Sequence, residues 1–268
     1  MSNISITENL IRLERLPRLQ TAYEYLRRVS FNVKGMRSPL DILAGDRVCI
    51  MGSSEFTNTV LARLCILCLL PRRHGGLGIY NSSSSIFILD AGNCTNVYQY
   101  VTFIKQSGLD IKRASQHIVI SRLFTIYQVV NSVLYELPKI IKEFNAKVVV
   151  IPDLLKMFVD DPQPHTKEIE VLLKEIRNSL YEVIKKNNII LIASLYSNYN
   201  SEQLSGVLSN VLHLFNKGIE IVENKTNERL KLRILEKSSG PFQDFVIRKQ
   251  VGLSIEDLNC PSLCKVGN

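Results

Sequence analysis

The sequence predicts an α/β protein with a mainly parallel, twisted sheet, helices on both faces of that sheet and an antiparallel C-terminal extension. Short apolar stretches recur along the chain and predict buried strands at 47–51, 86–90, 117–121, 147–151 and 189–194. Helix-length segments fall between these strands, at about 57–70, 96–107, 125–144 and 166–187. Fully apolar strands that alternate with helices are typical of a parallel sheet covered on both faces.

The segment before this alternation predicts an amphipathic helix over residues 8–30, with a kink at Pro17. The cations between its apolar positions are Arg12, Arg15, Arg18, Arg27 and Arg28. Their exposed face is either simply solvated or binds DNA or a protein partner. Because 35–39 has the composition of a linker, we predict an N-terminal helix and linker at 1–37, a core domain at 38–253 and a C-terminal tail at 254–268.

Short, often alternating strands follow residue 205 and account for the predicted antiparallel extension. They are NVLHLF, IEIVEN, RLKLRIL and DFVIRKQ, with a hairpin turn at 225–228. We expect them to extend the parallel core within the same domain.

Composition excludes a disordered or fibrous chain, since 46% of the 268 residues are hydrophobic and 22% are charged. Lys and Arg number 33 against 25 Asp and Glu, and this net charge of +8 suits an anionic partner such as nucleic acid.

The sequence has neither a secretory signal nor an apolar run of membrane length, so we expect an intracellular protein with no membrane partner. Cys65 and Cys68 have the spacing of half a zinc site, but their neighbours are apolar, which favours buried thiols and no metal site.

The turn after the first core strand, GSSEFTNT at 52–59, lies where a phosphate loop is expected. A Walker loop, G-x-x-x-x-G-K-[ST], uses its second glycine for close backbone approach, its lysine for phosphate charge and its hydroxyl for magnesium. Thr57 and Asn58 replace that glycine and that lysine, and Glu55 adds negative charge beside them. The candidate nucleotide-binding residues of this degenerate turn are Gly52, Ser53, Ser54, Thr57, Asn58 and Thr59.

Several stretches of the core are similar to one known family and occur in that family's order. They are SPLDILAGDRVCIMG, LARLCILCLLPRRHGGLG, FILDAGN, SGLDIKRASQHIVISRLFTIYQ, KVVVIPDLLKMF and LEKSSGPFQDFVIRKQVGLSIED. On these stretches, residues 38–253 resemble the RecA/RadA recombinase superfamily, in particular the ATPase domain of the archaeal and eukaryotic recombinases and their paralogs. The resemblance implies a RecA-like P-loop NTPase core in a divergent paralog with degenerate Walker A and Walker B motifs.

The resemblance also implies that the family's catalytic positions are lost. Its catalytic glutamate, two residues after Asp90, falls on Gly92, and its sensor glutamine falls on Leu195. An ungapped alignment places Pro152 at the Walker B aspartate, with Asp153 one position later. Asp90 and Asp153 complete the candidate nucleotide-binding residues of this degenerate site. Without these groups no water is activated and the triphosphate charge is not neutralised, so we expect no enzyme activity.

Because of the same losses, we expect the protein to use no cofactor and to bind neither ATP nor Mg²⁺. The alternative is weak ATP binding through rearranged ligands, in which Thr59 and Asp153 hold Mg²⁺.

The family binds single-stranded DNA through two loops, which fall at 153–166 and 195–206 in this chain. Neither loop contains arginine, and Asp160 and Asp161 would repel phosphate. The aromatic residues of the second loop are stacking candidates, and the arginines elsewhere are phosphate candidates. The candidates for contact with DNA or a partner are Arg12, Arg15, Arg18, Arg27, Arg28, Arg72, Arg73, Tyr196 and Tyr199.

The function that this resemblance implies is that of a non-catalytic recombinase paralog, an accessory factor in homologous recombination and DNA repair. Its expected partners are another recombinase paralog or the recombinase itself, with single-stranded DNA as a further candidate. We expect it in the nucleus if the source is eukaryotic and in the cytoplasm or nucleoid if it is archaeal. The alternative is a structural pseudo-ATPase subunit of an assembly unrelated to DNA.

Overall fold

A computed structural model describes residues 27–160, 166–196, 208, 211–224, 229–237, 245–254 and 257–258. Most of the predicted N-terminal helix, with Arg12, Arg15 and Arg18, lies outside these residues, as do the hairpin turn at 225–228 and Tyr199. Nearly all of the predicted tail also lies outside them.

An eight-stranded sheet forms the centre of the molecule, in the order β10-β9-β8-β3-β7-β6-β4-β5. Parallel pairing joins β8 to β3, β3 to β7, β7 to β6, β6 to β4 and β4 to β5, while β9 is antiparallel to both β8 and β10. The mainly parallel sheet with an antiparallel C-terminal extension is therefore confirmed. The strands of this sheet are β3 Arg47–Gly52, β4 Ser85–Asp90, β5 Ile118–Arg122, β6 Ala146–Ile151, β7 Ile190–Tyr196, β8 Lys217–Asn224, β9 Arg229–Lys237 and β10 Phe245–Ser254.

The helices lie between the parallel strands, close to the predicted positions. They are α1 Ser54–Leu69, α2 Val97–Gln106, α3 Ile111–Ser115, α4 Ile126–Asn131, α5 Leu137–Glu143, α6 Lys156–Asp160 and α7 Thr166–Asn187. A π-helical turn, Ser132–Glu136, joins α4 to α5. Pro138 follows at the start of α5, where its missing N–H favours a change in the hydrogen-bond pattern. Short 3₁₀ segments, Arg72–His74 and Ile79–Asn81, follow α1.

Each strand of the parallel core sends alternate side chains into two apolar layers. Ile86 and Ile88 of β4 pack on one face with α1 and α2, whereas Phe87 and Leu89 pack on the other with α4, α5 and α7. The helices therefore cover both faces, as predicted. Cys65 and Cys68 are fully buried thiols of α1, also as predicted.

Two local predictions are wrong. The predicted helix over 8–30 does not continue to its end, because Arg28–Phe31 forms strand β1, which pairs antiparallel with β2, Leu40–Leu43. Burial alternates along β1, as in a half-buried strand. The predicted boundary at residue 37 therefore falls in the connection between two paired strands.

The second wrong prediction is the strand NVLHLF at 210–215. Residues 211–212 are helical and the next two form a turn. Val211, Leu214 and Phe215 are buried, and their spacing of three and four matches a helical turn rather than the period of two of a strand. None of the helices in the described part of the chain is long and apolar enough to cross a membrane.

Candidate functional site

The carboxyl ends of β3, β7, β6 and β4 meet at one edge of the sheet, which is where open parallel sheets usually bind ligands. The strand order places β7 and β6 between β3 and β4. Segments that are distant in sequence therefore approach one another here. They are the turn after β3, the turn after β4 that contains Cys94, Asp153 after β6, and Tyr196 at the end of β7.

The turn after β3 does not form an open loop. The predicted start of its helix at about residue 57 is three residues too late, because α1 begins at Ser54. The Thr57 N–H already donates to the Ser53 carbonyl at 3.0 Å, and the Thr57 hydroxyl donates back to the same carbonyl. The helix therefore begins within the segment that a Walker loop would occupy, and Thr57, at the position of the second Walker glycine, belongs to its first turn.

Gly52 permits this tight transition from strand to helix. Its φ is +156°, and a Cβ there would lie 3.0 Å from both the Cβ and the carbonyl oxygen of Ile221. Glycine is therefore required here by the close approach of β8.

Asn58, which stands where a Walker loop would have its lysine, lies in a neutral cluster with Cys94 and Tyr196. Asn58 Nδ2 donates to the Tyr196 hydroxyl at 3.2 Å, and the Cys94 thiol lies 3.8 Å from Asn58 Oδ1. Burial raises the pKa of the Cys94 thiol to about 11, and it also raises the pKa of the Tyr196 hydroxyl. Both groups are therefore protonated at neutral pH. This cluster, called here the neutral plug, offers no positive charge to a triphosphate.

The Thr59 hydroxyl, the candidate magnesium ligand of α1, is also engaged within the protein. It donates to the Glu55 carbonyl at 2.9 Å and accepts from Gln99 Nε2 at 2.8 Å. Thr59 is buried, so its hydroxyl does not face an open site.

Asp90 closes the turn after β4 rather than facing solvent. Its fully buried carboxylate accepts from the N–H groups of Cys94, at 2.9 Å, and Thr95, at 3.2 Å. Arg122 Nε lies 3.6 Å from the same carboxylate, and Arg122 Nη2 donates to the Thr95 carbonyl. Asp90 therefore holds the turn that carries Cys94 into the neutral plug.

Gly92 and Asp153 approach so closely that a side chain at position 92 would displace its neighbours. The Gly92 N–H donates to the Pro152 carbonyl at 2.9 Å, and a Cβ on Gly92 would lie 2.7 Å from the Asp153 Cβ. Asp153 is fully buried with a φ of +43°, and its N–H donates to Ser194 Oγ. β6 ends at Ile151, before Pro152. Within the described residues, no three carboxylate, histidine or cysteine groups come together to hold a metal.

The candidates for contact with DNA or a partner fall in different places. Tyr196 directs its hydroxyl into the neutral plug. Arg28 pairs with Asp41 at 3.1 Å. Arg27 and Arg72 line a cavity at the opposite edge, near the amino ends of the strands, and Arg73 follows in the same 3₁₀ segment as Arg72.

Two residues of these sites were not predicted from the sequence. Cys94 lies in a polar turn, GNCTN, with no pattern that marks it. Lys147 also lines the cavity at the amino ends. Its position as a cation at the start of the apolar strand KVVVI is a signal that could have found it.

Comparison with models of known protein families finds no match to this chain, and comparison with curated protein sequences finds none either. The fold defines the class alone: an α/β protein with a mostly parallel eight-stranded sheet.

Proposed function

We propose that this protein is a non-catalytic paralog of the RecA/RadA superfamily that acts as an accessory factor in homologous recombination and DNA repair. It acts through contacts with another recombinase paralog or with the recombinase itself, and single-stranded DNA is a further candidate partner. The observation that carries the proposal is the neutral plug, in which Asn58 takes the position of the family's lysine and bonds to Tyr196. A scaffold that keeps its sheet and fills its phosphate site serves contacts rather than hydrolysis.

The absence of ATPase activity is part of the proposal. Hydrolysis needs a cation at the phosphates and a carboxylate that orients water. Here α1 begins where the loop would be, and the space beside Gly92 is filled by Asp153. In this proposal, binding to a partner therefore does not depend on a nucleotide.

Exposed aromatic side chains beside the carboxyl-end edge support a protein partner. Tyr98 is 85% exposed and Phe124 is 61% exposed. They follow Thr95 and Arg122, which are hydrogen-bonded to each other, so the two segments that carry them are adjacent. Aromatic groups of this kind are enriched in protein interfaces.

One observation favours the second candidate, a structural pseudo-ATPase subunit of an assembly unrelated to DNA. The described part of the first predicted DNA loop contains α6, where Lys156 is paired with Asp160. That lysine is partly neutralised, and Asp160 adds negative charge to the surface.

A titration of fluorescent single-stranded DNA at two salt concentrations, with and without Mg²⁺-ATP, separates the candidates. The recombination factor is expected to bind either DNA or the purified recombinase, with DNA affinity that falls steeply with salt and ignores ATP. Binding to neither under any condition favours the second candidate. ATP-dependent DNA binding contradicts both.

Charge reversal at the N-terminal arginines tests the predicted basic face. The triple change Arg12→Glu, Arg15→Glu and Arg18→Glu is expected to weaken binding to DNA or the recombinase at least tenfold while the melting temperature stays unchanged. The matched control reverses three exposed cations of α5 and α7, namely Lys139, Lys142 and Lys174. Equal binding by the wild type and both variants contradicts a role for the N-terminal segment.

A further inference from the structure

A second candidate site lies at the amino ends of the strands, on the opposite edge from the neutral plug. A cavity of about 130 Å³ opens between the starts of β4, β6 and β7 and the chain segment that follows α1. Its polar lining residues are Arg27, Arg72, Lys147, Ser82, Ser84 and Asn188. Among the described residues, this lining comprises three cations and three neutral polar side chains, and it contains no carboxylate.

Two of the three cations, Arg27 and Lys147, lie close enough for their charges to interact. Lys147 has its pKa lowered, first by desolvation and then by the charge of Arg27. Within the described part of the chain, neither Arg72 nor Lys147 forms an ion pair with a carboxylate. Like charges at short range are unfavourable, and a bound anion removes that cost.

The neutral groups add directed donors to this charge. Ser84 Oγ accepts from Asn145 Nδ2, which leaves its own hydroxyl proton available to a ligand. The Ser82 hydroxyl, in contrast, already donates to the Ile79 carbonyl. Of the two serines, Ser84 is therefore the one that can donate to a bound anion.

The size of the cavity restricts the ligand. Clefts that hold whole drug-sized molecules measure roughly 300–1,000 Å³. A cavity of about 130 Å³ fits one compact oxyanion rather than a complete nucleotide. Arginine side chains match tetrahedral and planar oxyanions, and a lining with three cations favours a group that carries more than one negative charge.

We propose that this cavity binds a single phosphate group through Arg27, Arg72 and Lys147. The proposal goes beyond the function proposed above and does not depend on it, because it follows from the lining of the cavity. The phosphate belongs either to free inorganic phosphate or to the backbone of a polynucleotide.

Thermal unfolding with inorganic phosphate as the probe tests this site. Sodium phosphate is expected to raise the melting temperature of the full chain by a few degrees above sodium chloride of equal ionic strength. The double change Arg72→Gln and Lys147→Gln is expected to abolish this rise. Arg73→Gln is the matched control, because Arg73 shares the 3₁₀ segment of Arg72 but does not line the cavity, and it is expected to retain the rise.

Phosphate also stabilises proteins through exclusion from their surfaces, so an equal rise in the wild type and the double variant overturns the proposal. An absent rise in the wild type, or an equal loss in Arg73→Gln, overturns it as well. The melting temperature in sodium chloride shows whether the double variant folds. If it does not, Lys147→Gln alone takes its place, and an undiminished phosphate response in that single variant overturns the proposal.

A labelled single-stranded oligonucleotide distinguishes the two sources of phosphate. If the backbone of a polynucleotide is the ligand, the double variant binds the oligonucleotide at least tenfold more weakly, and inorganic phosphate competes with it. If free phosphate is the ligand, the phosphate response is lost in the double variant while oligonucleotide binding is unchanged. Both results support the phosphate site and assign its source.

Discussion

At the carboxyl ends of the strands, Asn58, Cys94 and Tyr196 form a cluster of neutral side chains, whereas at the amino ends Arg27, Arg72 and Lys147 line a cavity. The carboxyl-end edge is the usual ligand edge of a parallel sheet. In this protein the clustered positive charge lies at the opposite edge. The two edges of one sheet therefore differ in charge, with neutral side chains at the carboxyl ends of the strands and cations at the amino ends.

The largest expected effect comes from removing the charge that holds the carboxyl-end edge together. Asp90→Ala leaves the N–H groups of Cys94 and Thr95 without their buried acceptor and leaves Arg122 without its carboxylate. We expect the free energy of unfolding to fall by about 3 kcal/mol, measured by urea denaturation.

The matched control is Asp160→Ala, which breaks the exposed pair with Lys156. Its cost is expected to be about 0.5 kcal/mol. A similar loss in both variants would show that Asp90 is an ordinary surface carboxylate.

The next effect concerns the chemical reactivity of the neutral plug. The pKa of Cys94 is raised to about 11 by burial, above the ordinary value of a cysteine thiol, so less thiolate is present at any pH below that value. At pH 8 we expect iodoacetamide to label Cys94 on the order of 100-fold more slowly in the folded protein than in the protein unfolded by urea.

Peptide mapping by mass spectrometry measures this ratio. The labelling rate of the folded protein should keep rising as the pH is raised towards 11. Equal rates in the folded and unfolded protein at pH 8 would contradict a buried, protonated Cys94.

A smaller loss of stability is expected when a side chain is added at Gly92, which lies against Asp153. Gly92→Ala places a Cβ 2.7 Å from the Asp153 Cβ, and the resulting shift of two buried turns should cost about 2 kcal/mol in urea denaturation. Gly252→Ala is the control, since a Cβ there meets no atom within 4 Å. If both changes have the same effect, the space beside Gly92 is open.

The smallest change in stability is expected at the amino-end edge, in contrast to the large loss expected for Asp90→Ala. Lys147 is partly desolvated and lies beside the charge of Arg27, so the folded state gains little from its charge. We expect Lys147→Gln to change the free energy of unfolding by no more than about 0.5 kcal/mol at low salt. A loss as large as that of Asp90→Ala would mean that the cation at this edge is structural.

The fold could be predicted from the sequence because its signals are local. Apolar stretches such as KVVVI and IFILD give the strands of the parallel core directly. The start of α1 also had a local signal, since Ser53 and Glu55 suit an N-cap and a first helical turn. The interpretation of 52–59 as a phosphate loop instead predicts a later start, near residue 57.

The arrangement of the two edges could not be predicted in this way. Asn58 and Tyr196 are 138 residues apart, and their hydrogen bond depends on the pairing of β3 with β7. Arg72 and Lys147 line one cavity because the chain after α1 returns to the start of β6. Such contacts arise from topology, which a sequence pattern does not encode.

A calorimetric titration of the full chain with ATP in the presence of Mg²⁺ tests most directly whether the neutral plug prevents ATP binding. The neutral plug predicts no heat of binding up to millimolar ATP, and the same result for Asn58→Lys, because α1 still begins at Ser54 in that variant. Saturable binding to the wild type with a dissociation constant below the millimolar range would contradict the account, since the turn after β3 would then have to open into a phosphate loop.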